Sequence, residues 1–301
     1  MPIENLRDFI QLLEQSGQMK RITLPVSPLL EITEITHRIS RSSPGNNPAL
    51  LFEKVTGSEM PVFINGFGSA ERMAMALGVD HLDDLAANLG KLIDPRLPKG
   101  MREVIDRGQD LLDVIKSIGL APKKVRRAAV QEVIHTTDAS LDTLPILKCW
   151  PKDGGQFITL PQVITRDPQT GVRNVGMYRL QKVDERTLLV HWQRHKGGAE
   201  HERIAQELRV ERIPAAVVLG GDPASIWCAS APLPPNIDEY LLAGYLRGEP
   251  VAFVDCVSQP LEVPSQAEIV IEGEIDPNEH RPEGPFGDHT GYYTPVEPFP
   301  V

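Results

Sequence analysis

The feature that most constrains the fold is a run of short, closely spaced strand candidates in the C-terminal part of the chain. The candidates cover residues 130–135, 157–165, 174–182, 187–193, 215–219, 251–257 and 267–275. Turns that contain proline or glycine separate them. Two predicted helices, over residues 200–208 and 238–246, interrupt the run. Many short strands joined by such turns are typical of an antiparallel barrel or sandwich.

The first 120 residues have a different pattern, in which helix and strand candidates alternate. Asn5 can cap a first helix whose apolar residues repeat at helical spacing and which ends near Gly17. Further helices are predicted over residues 30–39, 70–77 and 80–92, strands over 22–26, 49–52 and 61–64, and a helical connector over 101–118. The sequence therefore predicts an α+β protein. A small N-terminal α/β domain over residues 1–120 would precede a split β-barrel-like domain over residues 121–301.

Charge and cysteine content argue against several classes of protein. The chain has 31 basic and 41 acidic residues and a net charge of −10, which disfavours nucleic-acid binding and a membrane surface held by charge. Its three cysteines are far apart and form no Cys-x-x-Cys pair, so a disulfide framework or a thiolate zinc site is not expected. No signal peptide and no membrane-length apolar run is present. These features predict a cytoplasmic protein.

Two carboxylates lie five residues apart near the C-terminus, where Glu283 and Asp288 flank the sequence Gly-Pro-Phe-Gly. Proline and glycine disfavour a helix here and favour a tight turn that can aim both acids at one point. Since two close carboxylates do not ionise together easily, we expect one pKa to be raised, which gives a proton donor. The alternative is a solvated acidic turn. Phe286, Tyr292 and Tyr293 favour a pocket wall, because aromatic residues make up only 5% of the chain.

A second segment, residues 174–179, combines an oxygen ligand, a glycine and an arginine. In a strand, Asn174, Gly176 and Tyr178 share one face and Arg179 lies on the other. A glycine within a strand often marks the close approach of a ligand. The alternative is a two-faced strand with Arg179 in water.

A third segment, residues 191–198, places two histidines, two cations and two glycines at the end of a strand, which suits an anionic ligand. Glu239 begins a predicted helix, where it could simply favour the helix dipole. Together, Asn174, His195 and Glu239 would form an oxygen-rich site suited to Mg²⁺ or Mn²⁺ rather than zinc. The sequence does not show whether these residues meet.

These segments together resemble the UbiD family of flavin-dependent decarboxylases, and the resemblance covers the whole chain. It depends most on residues 174–179, 195–198 and 283–293, whose residue types and order match the family. The segments 6–9, 29–35 and 149–151 are most similar to the branch of 4-hydroxy-3-polyprenylbenzoate decarboxylases. The resemblance implies prenylated FMN in the split-barrel domain. It also implies a divalent metal, Mn²⁺ or Mg²⁺, at the flavin phosphate, and K⁺ as a monovalent cation.

Carried over position by position, the resemblance implies three groups of site residues. The metal ligands would be Asn174, His195 and Glu239. The flavin-contacting residues would be Met177, Tyr178, Arg179, His191, Trp192, Gln193, Lys196 and Gly197. The catalytic residues would be Arg179, Glu283 and Asp288. Arg179 would hold the substrate carboxylate, Glu283 would orient and relay, and Asp288 would donate a proton.

The implied reaction is the non-oxidative decarboxylation of 3-polyprenyl-4-hydroxybenzoate to 2-polyprenylphenol in ubiquinone biosynthesis, with the flavin as electron sink. The implied partners are a flavin prenyltransferase that supplies the cofactor and further copies of the chain in a homo-oligomer. Contact with the inner membrane would be peripheral at most. Family members continue into a C-terminal oligomerisation domain, which we expect this chain to lack. The alternatives are another aromatic or α,β-unsaturated acid, a flavin- or phosphate-binding fragment without turnover, and an FMN oxidoreductase.

Overall fold

A computed structural model describes residues 3–83, 85, 122–231, 233 and 238–301. The N-terminal elements are α1 (Leu6–Gln15), β1 (Met19–Ile22), α2 (Glu31–Ser40), β2 (Ala49–Phe52), β3 (Val62–Ile64) and α3 (Ala70–Leu77). The predicted order of helices and strands is confirmed here, although the first strand begins three residues earlier than expected. The helix predicted over 80–92 lies largely, and the connector over 101–118 wholly, outside the described residues. The domain boundary near residue 120 therefore stays a prediction.

Local sequence explains the first helix. The Asn5 side chain accepts a hydrogen bond from the Asp8 backbone N–H at 3.0 Å and so satisfies one of the free donors at the helix start. Phe9 and Leu13, four residues apart, are fully buried on one face. β1 and β2 pair in parallel and β2 and β3 pair antiparallel, which gives a three-stranded sheet next to this helix.

The C-terminal part is dominated by strands. Its strands are β4 (Lys123–Lys124), β5 (Gln156–Ile158), β6 (Gln162–Arg166), β7 (Arg173–Gly176), β8 (Arg179–Lys182), β9 (Leu188–His191), β10 (Ile213–Leu219), β11 (Ala252–Asp255), β12 (Glu262–Pro264), β13 (Ile269–Ile275), β14 (His280–Glu283) and β15 (Glu297–Pro300). Its helices are α4 (Gly197–Leu208), α5 (Pro223–Cys228) and α6 (Glu239–Arg247). The chain is thus an α+β protein, as the sequence predicts.

The strands of this part form four sheets. Their orders are β13-β10-β6-β7, β5-β8-β9, β12-β11-β4 and β14-β15. All neighbours are antiparallel except β11 and β4. Within the described residues these sheets do not close on one another, so the expected barrel-like description is too strong.

The central strand β10 has apolar residues on both faces. Ala216 and Val218 pack into one hydrophobic cluster, together with residues of α5, α6 and β11. Ala215 and Val217 point the other way, into a cluster with residues of β8, β9 and α4. A strand that is apolar on both faces belongs in the interior, so β10 forms the middle layer of the fold.

Three predicted strands differ from the structure. Residues 130–135 contain the end of a short 3₁₀ helix, Ala129–Gln131, followed by bends. The candidate over 157–165 is divided into β5 and β6, which lie in different sheets. The candidate over 174–182 is divided at Met177, whose N–H donates to the Ala229 carbonyl at 2.8 Å instead of to a neighbouring strand. As a result β7 and β8 also belong to different sheets.

The three cysteines are separate from one another in the structure. Cys149, Cys228 and Cys256 are free thiols. Burial raises the pKa of Cys149 to about 11 and that of Cys256 to about 12, so neither thiol provides a thiolate at neutral pH. Among the residues that the structure describes, no helix has both the length and the apolar character needed to cross a membrane.

Candidate active site

Arg179, His191, Glu283 and Thr294 meet at one point, and we call them the acid cluster. Arg179 begins β8 and pairs in register with His191 at the end of β9, while Glu283 ends β14. The Arg179 guanidinium donates from Nε and Nη2 to the two oxygens of Glu283, at 2.8 and 3.0 Å. Its Nη2 also donates to Thr294 Oγ1 at 3.2 Å. Arg179 and Glu283, which the resemblance places among the catalytic residues, are therefore hydrogen-bonded to each other in the structure.

The Glu283 carboxylate is ionised in this environment. Its side chain is 0% exposed. Burial is the largest effect and opposes ionisation, but the bonds from His191 and Arg179 together outweigh it, so the pKa of Glu283 lies below its ordinary value. The Glu283 carboxyl group, buried beside two basic side chains, is therefore ionised at neutral pH.

The His191 ring has two competing neighbours on one nitrogen. Its Nδ1 lies 2.9 Å from Arg179 Nη2 and 3.0 Å from Glu283 Oε2. Without a proton on Nδ1 the ring accepts from Arg179, and with a proton it donates to Glu283, but it cannot do both. The protonation of one atom therefore decides which member of the ion pair His191 supports.

Arg179 keeps one nitrogen available. Within the described part of the chain, its Nη1 makes no hydrogen bond, in contrast to Nε and Nη2. The Phe286 ring covers the guanidinium, with 4.7 Å from Arg179 Cζ to the ring centroid, and Phe157 packs against Phe286 at 4.7 Å between centroids. An arginine held rigidly on one edge and open on the other is suited to binding a further carboxylate.

Asp288 lies on a tight turn at the edge of this cluster. Its backbone N–H donates to the Tyr292 carbonyl at 3.0 Å, and Gly287 pairs with Tyr293 across the turn. Its carboxylate accepts from the backbone and the ring of His289, at 2.6 and 2.5 Å. The side chain of Asp288 is 32% exposed and that of His289 is 89% exposed.

The expectation that one of the two acids has a raised pKa is wrong in this structure. Partial burial of Asp288 opposes ionisation, but the bonds from His289 outweigh it, so the pKa of Asp288 is also lowered. The reason is that the carboxylates of Asp288 and Glu283 have separate basic partners and share no hydrogen bond. Repulsion between the two acids is therefore not the dominant effect on either.

Asn174, Tyr178, Gly197 and Glu239 form a second group, which we call the oxygen-donor group. The Asn174 amide donates to the Tyr178 hydroxyl at 3.2 Å. Gly197 lies against the other side of that amide, since a Cβ at Gly197 would be 1.8 Å from Asn174 Oδ1. Glu239 Oε2 accepts from the backbone N–H of Val175, next to Asn174, at 3.0 Å. Asn174 and Glu239 are thus neighbours in the structure.

Glu239 is a partly buried carboxylate that forms no ion pair with any residue the structure describes. Burial raises its pKa to about 7, although two backbone hydrogen bonds act in the opposite direction. The residues that precede the two oxygen donors form an ion pair, with Arg173 Nη1 2.7 Å from Asp238 Oδ2. This pair fixes the start of β7 to the start of α6 and so holds Asn174 beside Glu239.

The other residues predicted to contact the flavin or the metal differ in their exposure to solvent. Trp192 is buried, donates to Glu202 at 2.7 Å, and packs edge-on against Tyr178. Met177 is partly buried against the cluster on the opposite face of β10. His195, with Gln193 and Lys196, lies on the exposed turn between β9 and α4. Among the described residues no group of three histidine, cysteine, aspartate or glutamate side chains converges as a metal site.

The two groups are adjacent because Tyr178 directly precedes β8 and Trp192 directly follows β9. Tyr178 contacts Trp192 in the oxygen-donor region, and the next pair, Arg179 and His191, belongs to the acid cluster. Consecutive residues are about 3.8 Å apart along the chain. The site therefore combines a buried oxygen-rich corner beside the N-terminus of α4 with an arginine–carboxylate pair.

Three further residues support the site and were not predicted from the sequence. The Gln181 side chain accepts from the Gly284 N–H at 2.6 Å, and Thr294 accepts from the Phe286 N–H at 3.2 Å. Asp153 accepts from the Gly287 N–H at 2.8 Å. The Asp-Gly-Gly sequence that follows Cys-Trp-Pro-Lys is a turn signal that could have drawn attention to Asp153. Nothing in the local sequence indicates Gln181.

A separate cavity of about 520 Å³ lies beside β4 and β11. Its lining residues are Lys124, Val125, Arg126, Gln131, Val254 and Asp255. Lys124 is paired with Asp255 at 2.6 Å, and both side chains are largely exposed. None of these residues belongs to the acid cluster or the oxygen-donor group, so the cavity is not part of the candidate site.

Two protein-family models match the chain. The 3-octaprenyl-4-hydroxybenzoate carboxy-lyase Rift-related domain of the UbiD family matches residues 123–301, and the corresponding N-terminal domain matches residues 10–89. An uncharacterized protein of Aquifex aeolicus is 48% identical, over 98% of this chain and 60% of its own length. The chain thus spans about 60% of the length of this relative.

Two solved enzyme structures are similar to this chain. The closed form of vanillic acid decarboxylase from Sedimentibacter hydroxybenzoicus has a TM-score of 0.85 and 28% identity, over 98% of this chain and 60% of that one. An evolved dimeric form of the UbiD-class enzyme HmfF from Pelotomaculum thermopropionicum, in complex with prFMN, has a TM-score of 0.82 and 30% identity, over 98% and 63%. The domain matches and these likenesses agree with the site geometry, and the chain belongs to the UbiD family.

Proposed function

We propose that the protein is a prenylated-FMN-dependent decarboxylase of an aromatic carboxylic acid. The observation that carries the proposal is the acid cluster, in which Arg179 is fixed by the fully buried Glu283 while its Nη1 makes no hydrogen bond to any residue that the structure describes. Solved relatives with this fold are named as complexes with FMN and with prFMN, and as vanillic acid and 3,4-dihydroxybenzoic acid decarboxylases. These names support the cofactor and the substrate class.

The donors of the oxygen-donor group fit a divalent cation with a phosphate. Glu239 is partly buried and has no ion-pair partner among the described residues. Loss of solvent raises its pKa to about 7, so a bound cation would favour its ionised form. Asn174 supplies a neutral oxygen beside it. Oxygen donors of this kind suit Mg²⁺ or Mn²⁺, and the N-terminus of α4 at Gly197 favours phosphate. We assign Asn174 and Glu239 as the main ligands, with His195 as a third from the neighbouring turn.

The bound flavin would supply the electron sink that loss of CO2 from an aromatic ring requires. The residues of this chain would position the substrate around it. Arg179 binds the substrate carboxylate through Nη1, while its other edge remains paired with Glu283. Phe286, stacked on the guanidinium, excludes water from that contact. His191 adjusts the pair by donating to Glu283 or accepting from Arg179.

Asp288 is our proposed proton donor. Because its pKa is lowered in the structure, the pKa must rise before Asp288 can carry and donate a proton. In the structure its carboxylate is held by His289 and is ionised at neutral pH. A substrate carboxylate at Arg179 would add a like charge nearby and raise the pKa of Asp288. The turn that carries Asp288 must also exchange the His289 contact for the substrate. Proton delivery is therefore coupled to substrate binding.

The proposed physiological reaction is conversion of 3-polyprenyl-4-hydroxybenzoate to 2-polyprenylphenol in ubiquinone biosynthesis. The description of both matching domains as carboxy-lyase domains for an octaprenyl hydroxybenzoate supports it. The full protein would act as a homo-oligomer in the cytoplasm, in peripheral contact with the inner membrane. It would obtain its cofactor from a flavin prenyltransferase and bind Mn²⁺ and K⁺. Residues 1–120 and 121–301 would be its two domains in this chain.

The test is reconstitution of the purified protein with prenylated FMN and Mn²⁺, followed by measurement of CO2 release. The substrates are 3-polyprenyl-4-hydroxybenzoate, vanillic acid, 3,4-dihydroxybenzoic acid and an α,β-unsaturated acid. Absorbance and mass spectrometry of the bound flavin are recorded first. Release of CO2 from the prenylated substrate alone would support the proposed physiological reaction. Release only from the other acids would still support a decarboxylase but would contradict the prenylated substrate. Bound cofactor without any CO2 release would instead favour a binding role.

A matched pair of variants ties turnover to the acid cluster. We expect Arg179→Lys to reduce turnover by at least about 100-fold. The planar guanidinium of arginine can bind Glu283 along one edge and a substrate carboxylate along the other, whereas the ammonium group of lysine has no such pair of edges. Arg186→Lys, in the turn after β8, is the control and should leave turnover unchanged, since among the described residues the Arg186 side chain donates to the backbone carbonyls of residues 137 and 139. Equal activity of both variants would remove Arg179 from the mechanism.

A further inference from the structure

We propose that Asp153 is a positioning residue that sets the direction of the segment carrying Asp288. The proposal builds on the proposed function, because it concerns the same acid, but it makes a separate structural claim. We call residues 284–293, which carry Asp288, the acid segment. Asp153 is far from this segment in sequence and is 4% exposed. It lies in the loop before β5.

Both oxygens of the Asp153 carboxylate are used, and they bind two different segments. Oδ2 accepts from the Trp150 N–H at 2.8 Å, within its own loop. Oδ1 accepts from the Gly287 N–H at 2.8 Å, which is 134 residues away in sequence. A residue that only shaped its own turn would need the first bond alone. The second bond makes Asp153 a clamp between the loop and the acid segment.

The clamp acts at the residue directly before Asp288, which also pairs with Tyr293 across the turn. Gly287 directly precedes Asp288, and glycine has more backbone freedom than any other residue. Beyond it, the turn from Asp288 to Tyr292 is closed by its own hydrogen bond and can move as a unit. Rotation about Gly287 would therefore change the direction of the Asp288 carboxylate. The bond from Asp153 opposes that rotation.

The neighbouring contacts show that the two segments are fitted to each other. The Gly154 N–H donates to the Pro285 carbonyl at 2.7 Å, and a Cβ at Gly154 would lie 2.0 Å from the Gly284 carbonyl oxygen. A Cβ at Gly287 would lie 2.1 Å from Cδ1 of the Trp150 ring. Glycines at Gly154 and Gly287 permit this close approach, which brings the Asp153 carboxylate within reach.

The structural test is hydrogen exchange of the full chain, without cofactor or substrate. We expect Asp153→Asn to speed exchange in a peptide covering residues 284–293 about five- to tenfold, since an amide nitrogen replaces one acceptor oxygen and a buried bond is lost. Asp153→Ala, which loses both bonds, should have a larger effect. Asp167→Asn is the matched control, because the Asp167 carboxylate also accepts two backbone N–H groups, in an exposed turn.

The outcomes separate a local clamp from a general structural role. Faster exchange confined to residues 284–293 supports the proposal. Unchanged exchange there, or an equal increase in peptides from β10, overturns it. These results do not depend on turnover, so they stand even if the chain releases no CO2 and the proposed function fails.

Kinetics provides a second readout in the reconstituted enzyme. We expect Asp153→Asn to reduce kcat about tenfold and to leave KM and flavin binding within twofold, because the substrate contact at Arg179 and the cofactor region are not touched. A rise in KM with unchanged kcat would contradict the assignment. So would loss of flavin binding, which would indicate a wider disturbance of the fold.

Discussion

Glu283 is the residue on which the candidate site depends most. Burial alone would keep its carboxyl group neutral, yet bonds from Arg179 and His191 hold it ionised in the interior. Removing one partner of a buried pair costs more than the pair contributes, because the remaining charge has no counter-ion. The ion pair is thus a constraint on the position of Arg179.

The first prediction concerns loss of this carboxylate. Glu283→Gln should lower the free energy of unfolding at pH 7 by about 1–3 kcal/mol, since Arg179 loses its counter-ion but keeps a hydrogen-bond acceptor. Urea unfolding measures the change. Glu279→Gln is the control, because Glu279 pairs with Arg281 at a half-exposed site, where we expect less than about 0.5 kcal/mol. Equal effects of the two substitutions would contradict the assigned burial.

The second prediction is the pH dependence of that difference. The pKa of Glu283 is lower in the folded protein than its ordinary value, so its contribution to stability is complete above that ordinary value. The contribution is lost as the pH falls through the lower, folded pKa. We expect the difference in unfolding free energy between wild type and Glu283→Gln to be complete at pH 7 and to shrink below about pH 4.5. A difference that grows on acidification would contradict the direction of the shift.

At the scale of elements, the N-terminus of α4 is notable for how closely it approaches its neighbours. A Cβ at Gly198 would lie 2.3 Å from Cε3 of Trp192, whose indole is buried and bonded to Glu202. The Gly198 N–H also donates to the Tyr178 hydroxyl at 3.1 Å. A helix that begins with two glycines can therefore dock directly against β7 and β9.

The third prediction tests this docking. Gly198→Ala should lower the free energy of unfolding by about 1–3 kcal/mol, because the added methyl group overlaps a ring that cannot move away easily. It should also weaken flavin binding, measured by fluorescence quenching. Gly273→Ala in β13 is the control, since a Cβ at Gly273 meets nothing within 4 Å. If both substitutions had the same small effect, the close contact at Gly198 would not contribute to the free energy of unfolding.

At the scale of the whole molecule, the N-terminal part meets the rest of the chain next to the candidate site. The Leu30 N–H donates to the Lys148 carbonyl at 2.8 Å, just before α2. From the same helix, His37 packs edge-on against Trp150, with 5.2 Å between ring centroids. Trp150 in turn covers Gly287. One tryptophan therefore connects α2 to the acid segment.

The fourth prediction is the effect of removing that tryptophan. Trp150→Ala should lower the free energy of unfolding by about 1–3 kcal/mol, less than for a fully buried ring because Trp150 is only partly covered. It should also speed hydrogen exchange in both α2 and residues 284–293. Tyr292→Ala is the control, since Tyr292 is 79% exposed. A change in only one of the two segments would show that Trp150 does not connect them.

Part of this description could be predicted from the sequence. The α1 helix follows from its Asn5 cap, and α1, α2 and α3 all follow from apolar residues at helical spacing. Resemblance to the family selected Arg179, Glu283, Asn174 and Glu239, and the structure brings these together in pairs. The strand candidate over 174–182 was wrong as a single strand, because nothing local shows that Met177 bonds to Ala229. The pKa direction at Glu283 and Asp288 was also wrong.

The sequence by itself determined the class of fold, the positions of most helices and strands, and the residue types available for chemistry. Only the tertiary structure decided which partner each charged group has. Arg179 and Glu283 are 104 residues apart in sequence, and Asp153 and Gly287 are 134 apart. Spacing and composition report local periodicity, whereas a pKa depends on burial and on neighbours from distant segments. The ionised, clamped state of the acid segment is therefore a property of the folded chain.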